Sequence, residues 1–254
     1  GDPRNPQAVG VKTPELNVSQ PLRAYGKKTA GDIGDLCGFI FKKDSPSCGM
    51  QRVKVYNDKG MPERSGTGLF AREIMNAHPL LPVEEEGRLN DADLRENFVT
   101  RVYVYARWKA LIENGISKSG LIKFHTRHKY LVMSHSNEMY RELGQMLADL
   151  NSASLAEIAD SYITRLMLAL SVPATRKRHA NVLQHLLGYL KNSLDSAHRM
   201  DLDRTIDAYR SGEFPLVVPI RMLQHHFSMH PHPYISEQVY LDPHPQNLKL
   251  RNTL

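Results

Sequence analysis

Lys42, Lys43, Ser45, Ser47 and Cys48 crowd into seven consecutive positions. A thiol among lysines is a candidate metal ligand or nucleophile, because positive charge favours the anionic sulfur that does either job. The hydroxyls of Ser45 and Ser47 can orient water or a polar ligand, although serine beside proline is also ordinary turn composition. A second group is Arg176-Lys177-Arg178-His179, with Asn181, Gln184 and His185 one or two turns on. Cations at a helix start oppose the helix dipole, and a bound phosphate would relieve that conflict. Arg127 and Lys129 sit beside His125 and His128, and His226 and His230 lie four apart. Such spacings can begin a zinc site, but a third ligand is needed and no compact motif supplies it. Structural, capping and RNA-contacting roles for these histidines stay open.

The elements that must position these groups divide near Glu86. Phe39-Ile40-Phe41 is apolar and β-prone, and Pro46 and Gly49 stop it, so residues 37–41 read as a buried strand running into the Cys48 loop. Val53 to Tyr56 reads as a second strand and residues 57–60 as a turn. Residues 68–78 read as a helix closed by Pro79, and residues 80–83 as another buried strand. This alternation predicts an α/β sheet, which places ligand loops at the carboxyl ends of its strands. After Glu86 the apolar spacing becomes helical. Asn90 is a candidate cap for a helix carrying Leu94, Phe98, Val102, Tyr105, Trp108 and Ile112. Further helices are predicted over 121–134, 137–150, 155–170, 176–194, 201–210 and 217–230, with Pro219 in the first turn of the last. Residues 238–245 are too proline-rich for helix and read as an extended arm.

Composition bounds the function. The chain of 254 residues is 41% hydrophobic and 24% charged, ordinary for one large or two small soluble domains. No apolar run approaches the roughly 20 residues that a membrane helix needs. No secretory n-region and h-region pair is visible, and two cysteines make no disulfide framework, so the expected compartment is the cytoplasm. Residues 1–86 hold 12 Lys and Arg against 11 Asp and Glu, leaving 21 against 16 for residues 87–254. Most of the net +6, and 11 of the 12 histidines, therefore fall in the second part. A basic, histidine-rich surface suits a polyanion such as RNA, and it equally describes a solvated helical surface.

Residues 37–50, then Arg52-Val53-Lys54-Val55-Tyr56 and Gly66-Thr67-Gly68-Leu69-Phe70-Ala71, resemble the thiouracil desulfidase family, TudS. Phe124-His125-Thr126-Arg127-His128-Lys129, residues 173–185 and Tyr240-Leu241-Asp242-Pro243-His244-Pro245 resemble the helical domain fused to it, which also occurs alone in YbgA-type proteins. The fused form is similar to RudS-type desulfidases, which act on 4-thiouridine in tRNA. The resemblance implies a Rossmann-like, incomplete α/β domain over residues 1–86 and an all-α, tRNA-binding domain over residues 87–254. It implies non-redox desulfuration on a 4Fe-4S cluster, whose open iron would bind the thiocarbonyl sulfur and polarise its carbon toward water.

Carried over by motif, Cys48 is the cluster ligand of the Ser-Pro-Ser-Cys-Gly segment. Lys42, Ser45 and Ser47 match its catalytic positions, with Lys42 stabilising developing negative charge or giving a proton. Arg176, Lys177, Arg178, His179, Arg127 and Lys129 become the candidate RNA contacts. The family's other two cluster cysteines belong to Cys-Leu-Leu-Gly and Val-Cys-Pro-Glu motifs that this sequence does not contain. Gly1-Asp2-Pro3 is expected to begin just after them. Cys37 is a poor substitute, since about six residues at roughly 3.3 Å each separate it from the far end of its strand. It is expected in the core. The leading expectation is a 4-thiouridine tRNA desulfidase. A desulfidase of free thiouracil and a non-catalytic RNA-binding or interaction protein are the alternatives, and oligomeric state is not legible.

Overall fold

The computed structural model describes residues 5–252 other than Pro14 and Asp58. Asp58, within the expected 57–60 turn, and Gly1-Asp2-Pro3 therefore lie outside the described residues. The chain divides into two compact units, Gly1–Phe98 and Val99–Leu254.

The first unit is built on two helices. Helix α1 (Ser19–Asp32) and helix α2 (Leu69–Ala77) pack against each other. Gly26 permits the approach: a Cβ there would lie 2.9 Å from Glu73 Cβ and 3.1 Å from the Phe70 carbonyl oxygen. Strand β1 (Phe39–Phe41) pairs in parallel with β4 (Val83–Glu85), and β2 (Val53–Tyr56) pairs antiparallel with β3 (Pro62–Gly66). Phe41, Val53, Leu69, Phe70, Ile74 and Leu81 form the buried apolar centre.

Several expectations are corrected here. The first strand omits Cys37, which is only half-buried and not a core residue; its Sγ lies 4.0 Å from the Asp35 carbonyl oxygen. Leu81 closes a turn on His78, so the strand expected over 80–83 starts at Val83. The α/β character is present among the described residues as one parallel pair and one hairpin.

The second unit is helical throughout its described residues. Helix α3 (Ala92–Glu113) begins before the unit boundary, and Asp91, not Asn90, caps it by accepting the amides of Asp93 and Leu94 at 2.9 and 3.0 Å. There follow α4 (Lys118–His135), α5 (Asn137–Ala148), α6 (Leu155–Ser171), α7 (Arg176–Tyr189), α8 (Ser196–Ser211), α9 (Val217–Met229) and the short α10 (Pro233–Ser236). Side-chain oxygens of Ser117, Ser136, Ser154, Thr175 and Asp195 accept first-turn amides, which is why these helices start where they do. Helix α7 stops at Tyr189, five residues short of expectation (194 − 189). Helix α8 starts five residues early (201 − 196) at its Asp195 cap.

Trp108 packs edge-on to Phe124 at 5.3 Å and stacks on Tyr162 at 6.0 Å, while Leu166, Leu183, Ile206 and Leu223 are fully buried. The tail is no extended arm. Residues Val239–Leu241 form a 3-10 turn with Tyr240 fully buried, and Arg107 donates to the Pro243 carbonyl at 2.8 Å. Gln238 donates to the Thr126 carbonyl at 3.0 Å. Residues 238–245 thus form an internal strap tying α3 to α4.

Ser154 and Glu157 close a reciprocal capping box at the start of α6. Ser154→Ala is expected to lower stability by about 1 kcal/mol, read by urea unfolding with far-ultraviolet circular dichroism. An unchanged midpoint would remove the cap from the account.

Candidate functional site

The Cys48 loop leaves the carboxyl end of β1 and returns its carbonyls to the amino end of α2. Leu69 N–H donates to the Pro46 carbonyl at 3.2 Å, and Phe70 and Ala71 donate to the Ser47 carbonyl at 3.0 and 3.1 Å. These are amides that a helix's own first turn leaves unpaired. Gly68 makes the approach possible, because a Cβ there would fall 2.3 Å from Ser47 O.

Within the loop, Ser45 Oγ accepts the Cys48 amide at 3.2 Å and lies 3.0 Å from Ser47 Oγ, which lies 3.2 Å from Cys48 Sγ. Two hydroxyls and the thiol therefore form one hydrogen-bonded chain. Asp44 takes a left-handed φ of 56°, a conformation aspartate tolerates, and pairs with Arg64 at 2.9 Å.

Of three consecutive glutamates at the end of β4, Glu85 and Glu86 hold this loop. Buried Glu85 accepts the Met50 amide at 2.9 Å. Glu86 accepts the Lys43 amide at 2.7 Å and pairs with Lys42 Nζ at 2.7 Å. Buried Glu84 accepts from Arg88 Nε at 2.7 Å and from the Glu85 amide at 3.0 Å. The hydrogen bond and charge of Glu86 raise the Lys42 pKa, and the hydrogen bond from Lys42, then that from the Lys43 amide, lower that of Glu86. Both groups are solvent-exposed, so the pair orders the loop end more than it stabilises the fold. Sequence reasoning missed Glu85 and Glu86 because an acidic run reads as a solvated face. The available signal was position, since Glu85 ends the strand paired with β1 and Glu86 follows it.

The loop's chemistry is that of one oriented thiol, two hydroxyls and a lysine–glutamate pair. A 4Fe-4S cluster needs several thiolates. Cys48 is the one thiol of the loop, and among the described residues no group of three or more His, Cys, Asp and Glu side chains is arranged to hold a metal. These residues alone do not fit the cluster.

The candidate RNA contacts separate into two kinds. Lys177 and Arg127 are exposed and Arg178 is half-exposed. Arg176 instead turns inward, donating to the Tyr209 carbonyl at 3.3 Å and lying over the Tyr209 ring at 5.5 Å. His179 is 7% exposed, with Nδ1 2.9 Å from Tyr240 Oη. Arg176 and His179 are therefore both engaged in packing contacts within the helical unit. Lys129 lies over Tyr234 at 4.7 Å and keeps only part of its surface.

The histidine pair on α4 is also structural. His128 Nδ1 lies 2.7 Å from the Phe124 carbonyl, and His125 Nδ1 lies 3.2 Å from Tyr162 Oη. Burial, then the nearby positive charge of Lys129, pushes the His125 pKa down to about 4. Burial likewise pushes His128 to about 3, against a partial offset from the Phe124 carbonyl.

Gly68→Ala is expected to release the loop, increasing the rate at which Cys48 reacts with an aromatic disulfide several-fold in a Cys37→Ser background. An unchanged rate would contradict the docking. The buried histidines predict a pH effect. Unfolded histidine protonates near pH 6.5, whereas these resist until about 4 and 3. Their depressed folded values mean that stability is complete above pH 6.5 and is lost as pH falls toward 4, by about 1.4 kcal/mol per pH unit for each group. His128→Gln should make the unfolding free energy fall less steeply across that window. A slope equal to the parent's would refute the assignment.

Comparison with known proteins is consistent with a two-domain layout. Residues 3–86 match the 2-thiouracil desulfurase family, which supports a thiouracil-desulfurase-type function for the first unit. Residues 129–245 match a family described as a protein of unknown function, DUF1722. The chain is 32% identical over 159 residues to the uncharacterized protein YbgA of Escherichia coli (strain K12), an alignment covering 62% of this chain and 94% of that protein. No solved structure matches the chain. Among the described residues no helix is long and apolar enough to cross a membrane.

Proposed function

This chain belongs to the YbgA family, with 32% identity over nearly all of that protein's length, and from that premise we propose that it joins a sulfur-removing unit to an RNA-holding one, converting 4-thiouridine in tRNA to uridine. The observation that carries the reading is the Cys48 loop, pinned on α2 and on Glu85 within the segment that matches 2-thiouracil desulfurase. In the reaction the carbon–sulfur double bond of the base is broken and a carbon–oxygen double bond to water's oxygen is formed. Water's protons and the sulfur leave as hydrosulfide and a proton, with no change of oxidation state.

Several of the chain's own groups serve this chemistry. Lys42, kept cationic by Glu86, faces negative charge developing on sulfur. Ser45 and Ser47 hold the Cys48 sulfur and can orient water. Iron–sulfur dependence is part of the proposal. It needs thiolates beyond Cys48, and the reaction is accordingly described by the bonds exchanged at the base. Lys177, Arg178 and Arg127 would hold the RNA backbone, since phosphate contacts give affinity while the base is read elsewhere. A thiolated base stacked in folded tRNA must leave its stack to be reached, and a unit that holds the RNA gives the fusion a purpose. We place the domain boundary near Glu86, where the desulfurase match ends.

The test is anaerobic sulfide release by the protein expressed from its full coding sequence, loaded with iron and sulfide. The substrates are 4-thiouridine tRNA and free 2-thiouracil. The proposal expects sulfide from tRNA and none after Cys48→Ser. It also expects Lys177→Ala/Arg178→Ala to weaken tRNA binding and lower its salt dependence by about one phosphate contact per residue. Release from free 2-thiouracil alone would shift the reading to a small-molecule desulfidase. Absence of sulfide from either substrate would leave an RNA-binding protein.

A further inference from the structure

Helix α7 carries an exposed polar stripe, of which Asn181 also donates to Met133 Sδ at 3.7 Å. Lys177, Asn181, Gln184 and Gly188 are exposed and recur at steps of four, three and four, so they share one face. Lys191 continues the series in the turn that ends the helix, where its amide donates to the Gly188 carbonyl at 3.4 Å. From Lys177 to Lys191 is about 20 Å at the helical rise, longer than any single nucleotide.

The stripe ends at a cavity of about 510 Å³ between α7 and α8, within the size range of small-ligand pockets. Three features of its lining fit the parts of one ligand class. Leu187, Leu194 and Met200 give an apolar surface, with Met200 52% exposed. Lys191 and Arg199 bring two cations from different elements. Gln184 donates to Asp203 Oδ1 at 2.6 Å, placing an amide and a carboxylate together where they can accept N–H groups. Gly188 leaves the space open, since a Cβ built there meets nothing within 4 Å.

We propose that this cavity takes one unstacked nucleotide of an RNA strand lying along α7, its base against Leu187, Leu194 and Met200 and its phosphate against Lys191 and Arg199. Gln184 and Asp203 face the N–H edge of the base. The excess of cations over residues 87–254, 21 against 16 anions, favours a polyanion over an acidic-residue-poor peptide or a neutral metabolite. The inference deepens the RNA-holding reading of the helical unit and depends on it.

The test uses the full chain with three probes: uridine 5′-monophosphate, inorganic phosphate and a labelled single-stranded RNA. Amide chemical shifts locate the first two, and fluorescence anisotropy follows the third and intact tRNA. The monophosphate is expected to shift Gly188, Lys191 and Arg199. Gly188→Leu fills the cavity while improving helix propensity. It should weaken the monophosphate and the single strand by about tenfold, the scale of one lost base contact, with an unfolding temperature no lower than the parent's. Lys177→Ala/Arg178→Ala serves as the separate control for RNA binding as such. Wild-type affinity in Gly188→Leu, while tRNA still binds and the control still weakens it, would overturn the cavity assignment and leave the RNA reading standing. Phosphate shifting the same amides as strongly as the monophosphate would overturn it too, reducing the site to an anion patch. Monophosphate binding without any RNA binding would overturn both readings in favour of a mononucleotide site.

Discussion

The carbonyls of Pro46 and Ser47 occupy the amides of Leu69, Phe70 and Ala71, and the candidate chemistry of the first unit depends on that contact. A loop ending in a free cysteine would ordinarily sample many conformations. Here the helix start supplies donors that need acceptors, and the loop supplies acceptors that need donors, so each fixes the other. The bare Gly68 lets them meet. Glu85 adds a buried hold on Met50, just beyond the cysteine. The thiol's position thus follows from satisfying backbone groups, and the two serines then fill the space between that backbone and the sulfur.

The second unit is organised by a different constraint, the burial of polar rings. His128, His179 and Tyr240 are almost wholly buried, and each ring has a hydrogen-bonded or stacked neighbour. His179 is engaged by Tyr240 of the strap, while Arg176 packs on Tyr209 and His128 on the Phe124 carbonyl. What remains outside is a smaller set of cations, with Lys177, Arg178 and Arg127 among them.

Much of this was legible in sequence, for identifiable reasons. The Ser-Pro-Ser-Cys-Gly segment announces a loop because Pro46 and Gly49 cannot continue the strand before it. The helices after residue 117 announce themselves through regular apolar spacing, while caps such as Ser117 and Asp195 went unread, so α4 and α8 begin earlier than expected. Helix α1 was not legible: Pro21, Gly26 and Gly31 depress its propensity, and its helicity comes from packing on α2. The hairpin strand Pro62–Gly66 is exposed over most of its length and has no apolar alternation to detect. The fates of His179 and Arg176 were invisible because their partners lie 61 and 33 positions away. Glu85 lay hidden in an acidic run that reads as a solvated face, its partner being 35 positions upstream.

Hydrogen exchange at the amides of Phe70 and Ala71 tests the central claim most directly. First-turn amides of a helix have no partner within it and exchange quickly. If the Cys48 loop is docked as described, these two exchange slowly and lose protection together with the Met50 amide when Glu85 is replaced by glutamine. Exchange at the rate of an open first turn would mean that the loop is not held on α2, and that Cys48 has no fixed position from which to act.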